Sequence, residues 1–147
     1  MDTLISENLI QLRVDAKDWK DAITQAATPL VIAGKIEQRY IQGIIDSMIE
    51  FGPYFVIIPH VALPHARPEM GALEDAIGIT TLLNPVEFGS KGNDPVKYIF
   101  TLSARENDSH LAGLAKLANL VEDEAFFKLL DAASDAKEII EYLNREE

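Results

Sequence analysis

The chain has 147 residues, no cysteine, and 24 acidic against 13 basic side chains for a formal net charge of -11. That length suits one domain with a sizeable core, spanning residues 1–147, and is too short for two ordinary ones. The missing cysteines exclude disulfides, thiolate nucleophiles and sulfur-held metals, so that with three histidines a metal centre would have to lean on carboxylates. An acidic chain without a basic cluster repels a nucleic-acid backbone, so no nucleic acid is expected.

Asp15 can cap a first helix, whose apolar positions Trp19, Ile23, Ala26, Ala27, Leu30 and Val31 recur at helical spacing until Gly34. A second helix is expected over 37–51, with Ile41, Ile44, Ile45 and Met48 in one stripe and Gly52-Pro53 as its stop. The short apolar run 54–58, closed by Pro59, suits a buried strand. Two more strands are expected over 76–83 and 96–104, separated by turn chemistry at Asn84-Pro85 and over 89–95. In the second of these, Val96, Tyr98, Phe100 and Leu102 alternate with Lys97, Thr101 and Ser103.

The last third reads as helical. Asn107, Asp108 or Ser109 can cap a helix bearing Leu111, Leu114, Ala115, Ala118 and Val121, which places His110 in the first turn. Asp123 can cap a short helix with Phe126, Phe127 and Leu130, and Ser134 one with Ile139, Ile140 and Leu143. No repeat or linker interrupts this order, so the fold class is α/β, a single layered domain.

Residues 60–70 read His-Val-Ala-Leu-Pro-His-Ala-Arg-Pro-Glu-Met and carry the most chemistry. Pro64 and Pro68 bracket His65 and continue neither a helix nor a central strand, so the imidazole stands on a stiffened, non-helical stretch. Near neutral pH it offers a lone pair that can attack, accept a group or relay a proton. Taken alone, the pattern is matched about equally well by a loop histidine satisfied by backbone hydrogen bonds.

The run 61–66, Val-Ala-Leu-Pro-His-Ala, resembles the phosphohistidine motif of enzyme IIA proteins of the bacterial sugar phosphotransferase system, mannitol/fructose class. Its longer form Ala-Leu-Pro-His-Ala-Arg-Pro-Glu is most similar to the ascorbate-type branch, and Asn107-Asp108-Ser109-His110-Leu111 resembles the segment holding that family's other active-site histidine. The resemblance implies a mixed β-sheet flanked by helices on both faces. It further implies His65 as phosphoacceptor with His110 assisting, HPr as donor, a IIB component as acceptor, a membrane IIC transporter as indirect partner, and no diffusible cofactor or bound metal. Arg67, two residues from His65, is a candidate for gripping phosphate, or a partner of Glu69 or Glu74. Ser109 is a candidate phosphate donor or a helix cap. The helix start at 107–111 would cradle the anion with its free N–H groups and dipole.

Two departures stand out. Relatives of the mannitol kind carry an arginine on the helix before the loop, at a position matched to Ile49 ahead of a shared Glu50, and a small residue where this chain has Ile58. Arg67 is then expected to supply the absent charge, while His60 reads as structural or exposed. There is no Gly-x-Ser-x-Gly, no Gly-x-x-x-x-Gly-Lys and no His-Glu-x-x-His, so hydrolase, nucleotide-hydrolase and zinc-protease readings lose their support. A regulatory sensor of the same fold, acting on a transcription factor or transporter through the charge on His65, remains the alternative. Met1-Asp2-Thr3 lacks the basic start of a secretory signal and no apolar run reaches bilayer length, which points to the cytoplasm without membrane insertion. The acidic field favours partners with a basic face.

Overall fold

The computed structural model describes residues 4–145, so the Met1-Asp2-Thr3 reading lies outside the described residues. Five strands form one mixed sheet in the order β1-β4-β5-β3-β2. They are β1 (Ile10–Val14), β2 (Val56–Ile58), β3 (Val61–Ala62), β4 (Ala76–Val86) and β5 (Val96–Ser103). β1 runs parallel to β4 and β3 parallel to β5, while β4–β5 and β2–β3 are antiparallel.

Helices α1 (Trp19–Ile32) and α2 (Gln38–Phe51) cover one face. Ala26, Leu30, Ile41 and Ile44 pack there against Leu82 and Ile99. Helices α3 (Asn107–Leu120), α4 (Glu124–Ala132) and α5 (Ala136–Arg145) cover the other, where Leu117, Phe126 and Ile139 meet Ile77, Ile79 and Phe100. The implied layering, helices on both faces of a mixed sheet, is what the chain forms. Because both faces are covered, Thr101 and Ser103 are buried although their positions alternate with the apolar ones. The Ser103 hydroxyl donates to the Glu74 carbonyl at 2.9 Å.

Strand β1 was not expected from sequence, and its role is visible in α1. Pro29 lies inside that helix and has no N–H, so the Gln25 carbonyl four residues earlier lacks its helical donor. Gln11 Nε2 from β1 donates to that oxygen at 2.8 Å and also reaches Thr80 Oγ1 at 3.1 Å. Arg13 then adopts a left-handed φ of 57° where the β1–β4 register shifts, and its guanidinium donates to the Ala133 carbonyl at 2.6 Å.

Three caps fall elsewhere than expected. Asp18, not Asp15, caps α1 by accepting from Asp21 N–H at 2.9 Å, because the helix begins one residue later at Trp19. Glu106 is the N-cap of α3, and Ser109 closes it from inside the first turn. Asp135, rather than Ser134, accepts from the Glu138 N–H at 3.3 Å ahead of α5. Asp123 caps α4 as expected, accepting from Phe126 N–H at 3.1 Å. The second strand starts at Val56 rather than at Tyr54, and β4 runs on through Asn84-Pro85 to Val86.

Candidate functional site

Parallel pairing of β3 with β5 brings the carboxyl ends of both strands to the same edge of the molecule. His65 follows β3 by three residues and His110 lies in the first turn of the helix that follows β5, so both imidazoles converge there. Their ring centroids are 5.3 Å apart with planes inclined at 61°. Two segments 45 positions apart in sequence thus form one site.

The backbone around His65 is held at every residue from 63 to 66. Leu63 N–H donates to Phe55 O at 2.9 Å and Leu102 N–H to Pro64 O at 3.0 Å, continuing the sheet ladder under the loop. Tyr54 donates its hydroxyl proton to His65 O at 3.0 Å. The buried Tyr40 hydroxyl accepts from Ala66 N–H at 3.0 Å and faces the carbonyls of Ala66 at 3.1 Å and Leu102 at 2.8 Å. Burial pushes the Tyr40 pKa up to about 12, so the phenol remains a proton-bearing staple across the physiological range.

His65 Nδ1 lies 2.7 Å from the Leu63 carbonyl. A carbonyl oxygen only accepts, so Nδ1 carries the proton and Nε2 carries the lone pair. Burial, followed in smaller measure by the neighbouring His110, lowers the His65 pKa below the ordinary 6.5, against the pull of the Leu63 carbonyl. The ring is therefore neutral at pH 7 and its free nitrogen is a nucleophile without prior deprotonation.

A cavity of about 510 Å³ opens at this point, lined by Ser47, Phe51, Tyr54, His65, Ala66, Arg67, Pro68, Asn107 and His110. Arg67 is the one Arg or Lys among these lining residues. Its guanidinium stands 4.0 Å from Glu69 Oε1 with both side chains largely exposed, a pairing weak enough to yield to a phosphate. Glu74 pairs instead with Lys35 at 3.0 Å. Ser109 does not line the cavity. Its Oγ accepts from Glu106 N–H at 3.2 Å and donates to Glu106 O at 2.9 Å, so the hydroxyl serves the helix and the candidate phosphate contact is replaced by a cap.

Ile49 also stands off the site, 62% exposed and absent from the cavity wall, where α2 presents Ser47 and Phe51 instead. The α2 position open to an anion is therefore Ser47, one helical turn before Phe51, and it too carries no charge. His60 is structural: at φ 72° it forms the turn between β2 and β3, and its Nδ1 lies 2.7 Å from Pro95 O. Ser47, Tyr54 and Phe51 went unrecognised as site residues, because nothing in their local pattern separates them from packing positions. Among the described residues no group of three or more His, Asp or Glu is placed to hold a metal ion.

Comparisons with known proteins identify the family. The family model described as "Phosphoenolpyruvate-dependent sugar phosphotransferase system, EIIA 2" matches residues 3–146. The chain is 39% identical over 145 residues to the ascorbate-specific PTS system EIIA component of Salmonella typhimurium, covering 98% of this chain and 94% of that protein. Its identity to the ascorbate-specific component of Escherichia coli K12 is 37% over the same span and coverage. Among solved structures, the mannitol-specific cryptic phosphotransferase enzyme IIA of Escherichia coli superposes with a TM-score of 0.85 at 37% identity, covering 97% of this chain and 96% of that one. A fold, a pair of convergent histidines and a match over nearly the whole length carry one conclusion: the chain belongs to the EIIA type-2 family of the sugar phosphotransferase system.

Proposed function

We infer that His65 takes a phosphoryl group from phosphorylated HPr and passes it to a cognate IIB component, so that a sugar is phosphorylated as a membrane IIC transporter admits it. As an EIIA component the chain is a transferase part of sugar transport. The observation that carries the finer reading is the His65 ring, with Nδ1–H committed to Leu63 O at 2.7 Å and Nε2 bearing the lone pair beside a cavity.

Transfer then needs little from the protein beyond alignment and charge stabilisation, as is general for phosphoryl groups. The Nε2 lone pair forms the N–P bond while the donor's bond to phosphorus breaks and its electron pair returns to the donor. No proton leaves Nε2, since it holds none. The ring becomes cationic, and the Leu63 carbonyl facing Nδ1–H stabilises that charge. Onward transfer reverses the same motions, with neutral imidazole as leaving group. Arg67 and His110 would meet the phosphoryl oxygens, and the Asn107 N–H at the start of α3 adds a donor and the positive end of a helix dipole.

The relatives named ascorbate-specific favour ascorbate as the pathway's sugar. A solved complex of the mannitol IIA with phosphorylated mannitol IIB from Escherichia coli has the same fold, with a TM-score of 0.82 at 24% identity. In this role the chain works in the cytoplasm, and among the described residues no helix is long and apolar enough to cross a membrane.

The test is passage rather than capture. Protein labelled by phosphorylated HPr is mixed with purified IIB of the ascorbate class and, in parallel, of the mannitol class. Rapid transfer to the ascorbate-class IIB is expected. Labelling of His65 with no transfer to either IIB would instead support the regulatory sensor.

A further inference from the structure

Tyr54 touches His65 at two points. Its hydroxyl donates to the His65 carbonyl at 3.0 Å, and its ring meets the imidazole edge to face, with centroids 5.7 Å apart and planes at 87°. Tyr54 is itself fixed. Its N–H donates to Gly52 O at 2.8 Å, its ring packs on Phe55 at 5.1 Å, and its hydroxyl interacts with Ser47. The next residue, Phe55, supplies the carbonyl that holds Leu63 N–H at 2.9 Å, and Leu63 in turn offers the oxygen facing His65 Nδ1. One dipeptide therefore positions both the ring of the nucleophile and the acceptor of its proton.

This matters because an imidazole has two nitrogens that can bond to phosphorus. A half-turn about the Cβ–Cγ bond exchanges Nδ1 with Cδ2, removes the donor from the Leu63 oxygen and frees Nδ1 to carry the lone pair. Tyr40 does not oppose that turn directly, since its hydroxyl engages the backbone of Ala66 and Leu102. Tyr54 does, through the edge-to-face contact between its ring and the imidazole.

We propose that Tyr54 is a positioning residue that selects Nε2 of His65 as the phosphorylated nitrogen, by holding the ring in the orientation that keeps Nδ1–H on the Leu63 carbonyl. The assignment rests on the phosphocarrier reading for the transfer itself. The reaction is unchanged in balance: Nε2 gains the phosphorus, the donor regains its electron pair, and Nδ1 keeps its proton. With Tyr54 removed, the second tautomer and the second N–P bond become accessible.

The experiment uses 15N-labelled protein as wild type, Tyr54→Phe and Tyr54→Leu. Long-range 1H–15N correlation of the imidazoles at pH 8 reads the tautomer before phosphorylation. The 31P–15N coupling after treatment with phosphorylated HPr reads which nitrogen bears phosphorus. Wild type is expected as one tautomer and one product. Tyr54→Leu loses a ring contact and a hydrogen bond, so the tautomer ratio should shift toward the alternative by about tenfold or more. Tyr54→Phe, which keeps the ring and folds with one hydroxyl fewer, should show a smaller but measurable second population.

Variants with a wild-type amide spectrum and a single wild-type tautomer would overturn the proposal. Should Tyr54→Leu fail to fold, Tyr54→Met, which also removes the ring, decides in its place, and a pure Nδ1–H tautomer there has the same force. The two layers stay separable. Absence of phosphate on His65 in wild type would refute the phosphocarrier reading, whereas the tautomer spectrum of unphosphorylated protein judges Tyr54 by itself.

Discussion

Gly113 lies just under one helical turn after His110 on α3, and a Cβ built there would stand 2.7 Å from Leu102 Cδ1 in the buried core. Carbon atoms rest at about 3.5–4.0 Å, so Gly113→Ala asks for a displacement of about 1 Å. Leu102 has little room to yield, since its side chain is buried in one cluster with Ile77, Phe100 and Leu117. If α3 yields instead, it carries His110 away from His65. Overpacking costs about 1–3 kcal/mol, while replacing a helical glycine by alanine returns about 1 kcal/mol, for a net loss of about 0–2 kcal/mol. At about 2–4 °C per kcal/mol, the melting temperature should fall by no more than about 8 °C. A 1 Å misplacement of reacting groups, by contrast, costs on the order of 10²-fold in rate. The expected signature is therefore a modest melting shift by calorimetry with a disproportionate loss in the rate of phosphoryl acceptance in rapid-quench kinetics. The double variant Gly113→Ala with Leu102→Val, which removes the opposing methyl, should recover part of that rate. Wild-type melting together with a wild-type rate in Gly113→Ala would refute the claim that close packing of α3 on β5 sets the distance between the two histidines.

Other perturbations separate the parts of the site. In an NMR titration His65 should have its midpoint below 6.5, and acceptance should fall off only below that midpoint. Because its folded pKa is depressed, the unfolded chain binds more protons just below pH 6.5. His65 therefore costs no stability above that value and progressively more as pH falls toward its folded midpoint, which chemical denaturation at several pH values will read. Tyr40→Phe leaves the Ala66 N–H and two facing carbonyls without their hydroxyl, and should lose about 1–3 kcal/mol in denaturant melts and the hydrogen-exchange protection of Ala66. Arg67→Gln should slow acceptance from phosphorylated HPr while shifting stability by no more than about 0.5 kcal/mol, since the side chain is 81% exposed.

Long, periodic segments were readable from sequence, and features set by distant contacts were not. The stripe Ile41, Ile44, Met48 marks α2 because burial on one helix face leaves a 3.6-residue signature. Strand β1 leaves only a short one: Ile10, Leu12 and Val14 alternate with Gln11 and Arg13 over five residues, and the strand went unread. Its meaning depends on β4 and on the carbonyl freed by Pro29, neither of which is local. The two-residue β3 is shorter than any periodicity can reveal, yet its parallel pairing with β5 is what unites the histidines.

At the site, His65 and His110 were named through motif resemblance, and the 5.3 Å between their rings gives that pairing a physical basis. Ser109 was a fair candidate by chemistry but sits where the helix needs a cap, and the two demands are indistinguishable in one dimension. Tyr54 was read as the first residue of a strand. Gly52-Pro53 places it in a turn instead, from which its ring reaches a histidine eleven residues away.

The most direct measurement is the location of the phosphoryl group after incubation with phosphorylated HPr, read by mass spectrometry that preserves N–P bonds. The label should lie on His65, vanish in His65→Ala, and persist with slower acquisition in His110→Ala. Stoichiometric label on folded His65→Ala, or its recovery from any other residue of the wild type, would contradict the account.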